Sequence, residues 1–213
     1  MKIEYISHMG SDDTVCDSAR VSFNKQASNY TKEQNDKLIV YLAKHKHISP
    51  FMHPQITLRE TVPIFVARQR FKHVVGFVYN EVSRRYVDDL PEFYIPKEWR
   101  SRPEGSVKQG SGNAHPDQDT IKGRYSIFVE KAKQLYNDMI KSGIAPEQAR
   151  MVLPQSMYTS YYVTGSLSAF ARLYNQRSDS HAQKEIQNVA HMIDDIISPL
   201  YPVSWQALTK GIY

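Results

Sequence analysis

The 213-residue chain holds a single cysteine, Cys16, so no disulfide can form within it and a reducing cytoplasm is the expected setting. Cys16 lies in TVCDSARVSF with no activating neighbour and reads as a small buried hydrophobe rather than a nucleophile. No apolar run approaches the ~20 residues that cross a bilayer, and the opening MKIEYISHMG lacks the apolar centre of a secretory leader. No membrane role is expected. There is no G-x-G-x-x-G stretch, so a dinucleotide would need some other device than the glycine-rich cradle. His45, His47 and His53 cluster, yet no cysteine or well-spaced carboxylate completes a ligand set, and no metal is expected. Strong charge of one sign is missing too. A net charge of +5, evenly spread, suits anionic ligands in general and does not argue for nucleic acid.

What is present describes an ordinary folded protein. Hydrophobic residues make up 41% and charged residues 23%, in a length that suits one domain with a sizeable core. Residues 2–8 alternate as an opening strand. Thr31 and Gln34 form a capping box before NDKLIVYLAKHK, whose helix should stop before Pro50. QITLRE reads as a strand, and PIFVARQRFKHVV as a helix with Pro63 in its first turn and Gly76 ending it. SRPEGSVKQGSGNAHPDQD, 101–119, reads as a flexible surface loop. A long amphipathic helix over 120–142 should close at Gly143. A short helix in APEQARMVLP, an extended QSMYTSYYV and two helices over 166–176 and 181–198 complete the reading. Ser180 and Gln183 pattern as a cap for the last of these. The fold class expected is α+β: a single domain over 1–213, an antiparallel sheet packed with several helices, helices dominating.

Polar chemistry concentrates in one region. On a continuous helix Gln69, Lys72 and His73 share a face, a pattern that a solvated stripe explains as simply as a site. NEVSRRY follows at 80–86. If extended, it sends Glu81, Ser83 and Arg85 to one side and Asn80, Val82 and Arg84 to the other. Carboxylate, hydroxyl and guanidinium together can grip a small phosphorylated molecule, each charge-assisted bond contributing about 1.5–3 kcal/mol. A basic turn, or a tyrosine-rich surface stacking single-stranded nucleic acid, uses the same residues.

ARQRFKHVVGFVYNEVSRRYV resembles the signature of the flavin-dependent thymidylate synthases, also called the thymidylate synthase X family. DSARVSF, KHKHISPF, FVARQ, EFYIP, EQARMVLP and RSDSHAQKEIQ occur in that family's order, so the resemblance covers nearly the whole chain. The family's R-H-R triplet reads Lys72-His73-Val74 here, an extra residue lies before Asn80, and Met52 stands where a glutamate is usual. Ser166 and Arg172 replace frequent asparagines. The resemblance implies reductive methylation of dUMP to dTMP, with methylenetetrahydrofolate as one-carbon donor and NADPH reducing FAD. It implies a homotetramer with active sites shared between subunits, and partners limited to dUMP and folate.

By the same resemblance Arg177 is the catalytic residue, stabilising negative charge at the uracil N3/O2 edge, with no cysteine adduct. Residues Gln69, Arg70, Phe71, Lys72, Glu81, Val82, Ser83, Arg84, Arg85, Arg150 and Arg177 are implied in dUMP binding, with Glu147 expected to lock Arg150 toward the ligand. The implied flavin contacts are His47, Ser49, Lys72, His73, Val74, Asn80, Glu81, Ser166, Leu167, Ser168 and Arg172. A relic that binds its ligands without turnover is the alternative raised by Lys72, which lacks bidentate geometry.

Overall fold

A computed structural model describes residues 1–86, 89–103 and 110–211. Four antiparallel strands, β1 (Lys2–Met9), β2 (Gln55–Pro63), β3 (Phe77–Glu81) and β4 (Tyr158–Ser166), form one sheet in the order β1-β2-β4-β3. Eight α-helices accompany them among the described residues: α1 (Asp12–Arg20), α2 (Lys32–Lys44), α3 (Ile64–Arg70), α4 (Gln118–Lys141), α5 (Pro146–Ala149), α6 (Leu167–Arg177), α7 (Lys184–Ile197) and α8 (Pro202–Thr209). The architecture is α+β, as the sequence predicts.

Period-two alternation sorts the sheet. On β2 the side chains of Ile56, Leu58, Glu60 and Val62 are all buried. Their partners Gly165, Val163 and Tyr161 on β4 share that face, as does Phe77 on β3. The opposite face is polar and more open, with Thr57 bonded to Thr164 at 2.9 Å and Arg59 donating to Ser160 at 3.0 Å. Helices cover the apolar face. α6, with Leu167, Phe170 and Leu173 buried, packs on α7 and α8, whose Ile186, Val189, Ile193 and Trp205 complete the core.

Local signals explain most boundaries. Thr31 accepts from the Gln34 amide while the Gln34 side chain accepts from the Thr31 amide, closing the expected capping box. Gly143, at φ +87°, follows α4 where a left-handed residue is needed. Asp12 at the start of α1 accepts from the Val203 and Ser204 amides, so its carboxylate also caps α8. α1 and α8 carry no expectation from the sequence; the first begins among acidic residues, the second at Pro202.

Three expectations need correction. α3 starts after Pro63 and ends at Arg70, not near Val75, because the carbonyls of Arg70 and His73 turn to the Tyr79 hydroxyl and Gly76, at φ +78°, reverses the chain. Lys72 and His73 therefore sit in a turn and share no helical face with Gln69. The extended run also stops at Glu81: Ser83 accepts from the Arg85 amide, and its carbonyl accepts from Tyr86, forming a side-chain-supported turn. Ser180 does not cap α7; the N-cap is Gln183, and Asp179 instead accepts from the His181 amide. Of the loop expected to be flexible over 101–119, residues 104–109 lie outside the described residues.

Candidate active site

The site is organised by a buried ion pair. Glu60 falls on the inward phase of β2, where a lone carboxylate would be costly. Arg70, the last residue of α3, answers it: Nε lies 3.0 and 3.1 Å from the two carboxylate oxygens, and both side chains are fully buried. Tyr161 donates to Glu60 at 2.6 Å, and Arg70 donates to the Tyr79 hydroxyl at 2.6 Å. The Tyr79 hydroxyl in turn donates to the His73 carbonyl at 2.7 Å. The guanidinium also lies over the Phe77 ring, 4.4 Å from its centre. This network fixes the backbone of the turn that carries Lys72 and His73.

From α6, Arg177 reaches back to that turn, its Nε donating to His73 Nε2 at 2.9 Å. His73 is buried, and burial together with the charges of Arg177, Arg70 and Arg172 pushes its pKa down to about 4. The imidazole is neutral at physiological pH. Gln69 bonds to Gln183 at the start of α7, and Lys72 is exposed beside it in sequence. Arg172 donates to the Val75 carbonyl and ties α6 to the same turn.

A separate cleft of about 690 Å³ opens past the end of β3. Glu81, Val82, Ser83, Arg84, Arg85 and Arg150 line it, together with residues the sequence reading missed, such as Arg59, Thr159 and Ser160. Glu81 accepts from Thr159 at 2.6 Å, and the Val82 amide donates to the Ser160 carbonyl. The Arg84 guanidinium donates to the Asp89 carbonyl, and the Arg85 Nε donates to Ser83 at 3.3 Å. Arg150 is exposed, and its Nε donates to the Glu147 carbonyl at 3.3 Å, not to the carboxylate expected to lock it. Several guanidiniums converging with a hydroxyl on one cleft can hold a phosphate.

A third region fits a flavin. His47 stacks on Tyr41 with planes 17° apart, both exposed. They line a cleft of about 550 Å³ with Ser49, Arg20, Lys25 and Tyr30. Exposed rings beside cations suit an aromatic ring system carrying phosphates. Val74, Asn80 and Arg172 are also exposed.

Several residues implied by resemblance have other work. Arg70 is wholly committed to the core, and Phe71 packs its ring 4.8 Å from that of Tyr161. Ser166 is the N-cap of α6, accepting from the Ala169 amide, and shares a 3.1 Å bond with buried Ser168. Leu167 is fully buried. Cys16 is buried as well, its thiol pushed up to about 11 by desolvation.

An α+β scaffold with one arginine-lined cleft and a further arginine posed on a neutral histidine has the charge and donors that suit small anionic molecules. The family described as "Thymidylate synthase complementing protein" matches residues 4–203. A flavin-dependent thymidylate synthase of Kosmotoga olearia is 37% identical, covering 99% of this chain and 91% of its own length. That of Thermosipho africanus is 35% identical, covering 99% and 92%. Among solved structures, the UMP/dUMP methylase PolB from Streptomyces cacaoi bound with 5-Br dUMP superposes with a TM-score of 0.87 at 31% identity, covering 97% of this chain and 93% of that one. The chain belongs to the flavin-dependent thymidylate synthase family.

Proposed function

We propose that the chain converts dUMP to dTMP by reductive methylation, with methylenetetrahydrofolate as one-carbon donor and NADPH as the source of reducing equivalents. The observation that carries this reading is Arg177. Its Nε is occupied by His73, and among the described residues neither terminal nitrogen of the guanidinium has a hydrogen-bond partner. A permanently charged two-nitrogen edge suits the N3/O2 edge of uracil, where it lowers the cost of negative charge and raises the nucleophilicity of C5. Bound FAD would supply the hydride chemistry that links NADPH to reduction of the transferred carbon unit. Its holders in this proposal are His47, Ser49, Lys72, Val74, Asn80, Glu81 and Arg172. Arg70, Phe71, Ser166, Leu167 and Ser168 act behind the site through packing and capping.

The nucleotide's holders fall into two groups. Ser83, Arg84, Arg85 and Arg150 line the cleft past β3, whereas Gln69, Lys72 and Arg177 are not among its lining residues. Ser83 serves there as a hydrogen-bonding group: its hydroxyl accepts from the Arg85 amide and Nε, and among the described residues no carboxylate or imidazole bonds to it. The division supports an active site completed by a second copy of the chain, with the first group gripping phosphate and ribose and the second addressing the base. Exposed Ile127, Phe128 and Leu135 on α4 supply apolar surface for such assembly, and a homotetramer with shared sites is the form proposed.

The test is a visible absorption spectrum of the purified protein after FAD reconstitution, titrated with dUMP and then mixed anaerobically with NADPH. A flavin band shifted by dUMP and bleached by NADPH, with dTMP formed once methylenetetrahydrofolate is added, is expected. UMP runs as a parallel substrate, because the Streptomyces cacaoi neighbour is described as a methylase of both nucleotides. Absence of any flavin or dUMP binding overturns the proposal. Tight, salt-sensitive binding of a single-stranded oligonucleotide in its place would establish the binding-module reading.

A further inference from the structure

We infer that His73 is a positioning residue that aims Arg177 by accepting its Nε hydrogen, an inference that rests on the role proposed above for Arg177. A guanidinium has only donors, so the 2.9 Å contact from Arg177 Nε requires a lone pair on His73 Nε2. The proton of the neutral ring therefore resides on Nδ1. One hydrogen bond through Nε constrains the plane of the guanidinium and leaves its terminal edge for a ligand.

The backbone that carries the imidazole is itself held from behind. The His73 carbonyl accepts from Tyr79, Tyr79 accepts from Arg70, and Arg70 is paired with Glu60 inside the core. Gly76 closes the turn in a left-handed conformation, 3.0 Å from the Ala169 methyl by way of any Cβ placed there. The turn that carries the buried ring is thus anchored to the sheet, while Arg177 arrives from the far end of α6. A side chain with several rotatable bonds gains a narrower range of headings from a bond to a buried neighbour that has fewer.

The charges around the ring bear on its protonation. Arg177 touches it from α6, the charges of Arg172 on α6 and Arg70 on α3 act on it from nearby, and among the described residues no carboxylate offsets them. Each guanidinium disfavours the imidazolium. The folded-state pKa lies below the ordinary histidine value, so the acceptor persists down to about pH 4. Protonation below that point removes the lone pair and places two cations in contact.

The experiment compares the FAD-loaded wild type with His73→Phe, His73→Gln and Arg177→Ala, measuring FAD content, dUMP affinity and turnover. In His73→Phe, turnover is expected to fall about a hundredfold, the scale of a misaimed catalytic group, with FAD content and dUMP affinity little changed. His73→Gln, whose Oε1 is an acceptor that does not titrate, should recover much of the loss and lack any acid limb near pH 4 that the wild type shows. Undiminished turnover in His73→Phe, or a loss fully reversed by added FAD, overturns the inference; the latter makes the ring a flavin ligand instead. Should His73→Phe not fold, His73→Gln decides: turnover as low as that of Arg177→Ala overturns the inference. An active Arg177→Ala is a different outcome, removing the role of Arg177 itself.

Discussion

At the scale of single residues, the distinction that matters is between polar groups with free edges and polar groups already spent. Arg70 and Arg177 are both helix-terminal arginines, yet one is sealed against Glu60 and the other, among the described residues, hydrogen-bonds only to a neutral imidazole. Sequence motifs treat them alike. Glu60 was legible in principle, since QITLRETV places it on the apolar phase with Ile56, Leu58 and Val62. A carboxylate in that phase announces a buried cation. Cys16 was legible directly: it stands in no motif, and it is buried with its thiol held protonated. Cys16→Ala is expected to leave turnover unchanged and to lower stability by about 1 kcal/mol in chemical denaturation, the cost of a small cavity. A folded Cys16→Ala protein without turnover would reinstate the thiol in the chemistry.

At the scale of elements, the strand pair β2–β4 and the helix ends around it decide where the chemistry lies. The capping box at Thr31 and the left-handed Gly143 were readable because both are local bargains between neighbouring residues. The end of α3 was not readable, because its cause, the Tyr79 hydroxyl taking the Arg70 and His73 carbonyls, comes from another element. Glu60 and Arg70 connect those elements. Arg70→Met leaves a carboxylate buried without its cation and should destabilise the protein by about 3–5 kcal/mol in urea unfolding. Glu60→Leu combined with Arg70→Met should recover a good part of that, since the uncompensated charge is gone. A single-variant cost well under 1 kcal/mol would show that the pair does not support the turn.

At the scale of the whole molecule, the two groups of proposed nucleotide holders make a prediction about assembly. Arg85→Ala and Arg177→Ala should each lack turnover alone, the first through weak dUMP binding and the second with FAD still bound. When the two variants are dissociated, mixed and reassembled, activity should return, because one site in a mixed oligomer can take Arg85 from one copy and Arg177 from the other. Verified mixed oligomers that remain inactive would mean that each chain builds its site alone.

The sequence by itself determined the class of fold, the main strands and helices and the family, because these follow from periodicity, caps and short contiguous motifs. It also named the residue types proposed to carry the chemistry. Only the tertiary structure decided which of them are available. It withdrew Arg70, Ser166 and Leu167 into the core and the helix cap, separated the Ser83–Arg85 cleft from Arg177, and set His73 against that arginine. Burial and pairing are properties of elements brought together from distant parts of the chain, and His73 and Arg177 stand 104 residues apart. No local pattern encodes a contact of that span.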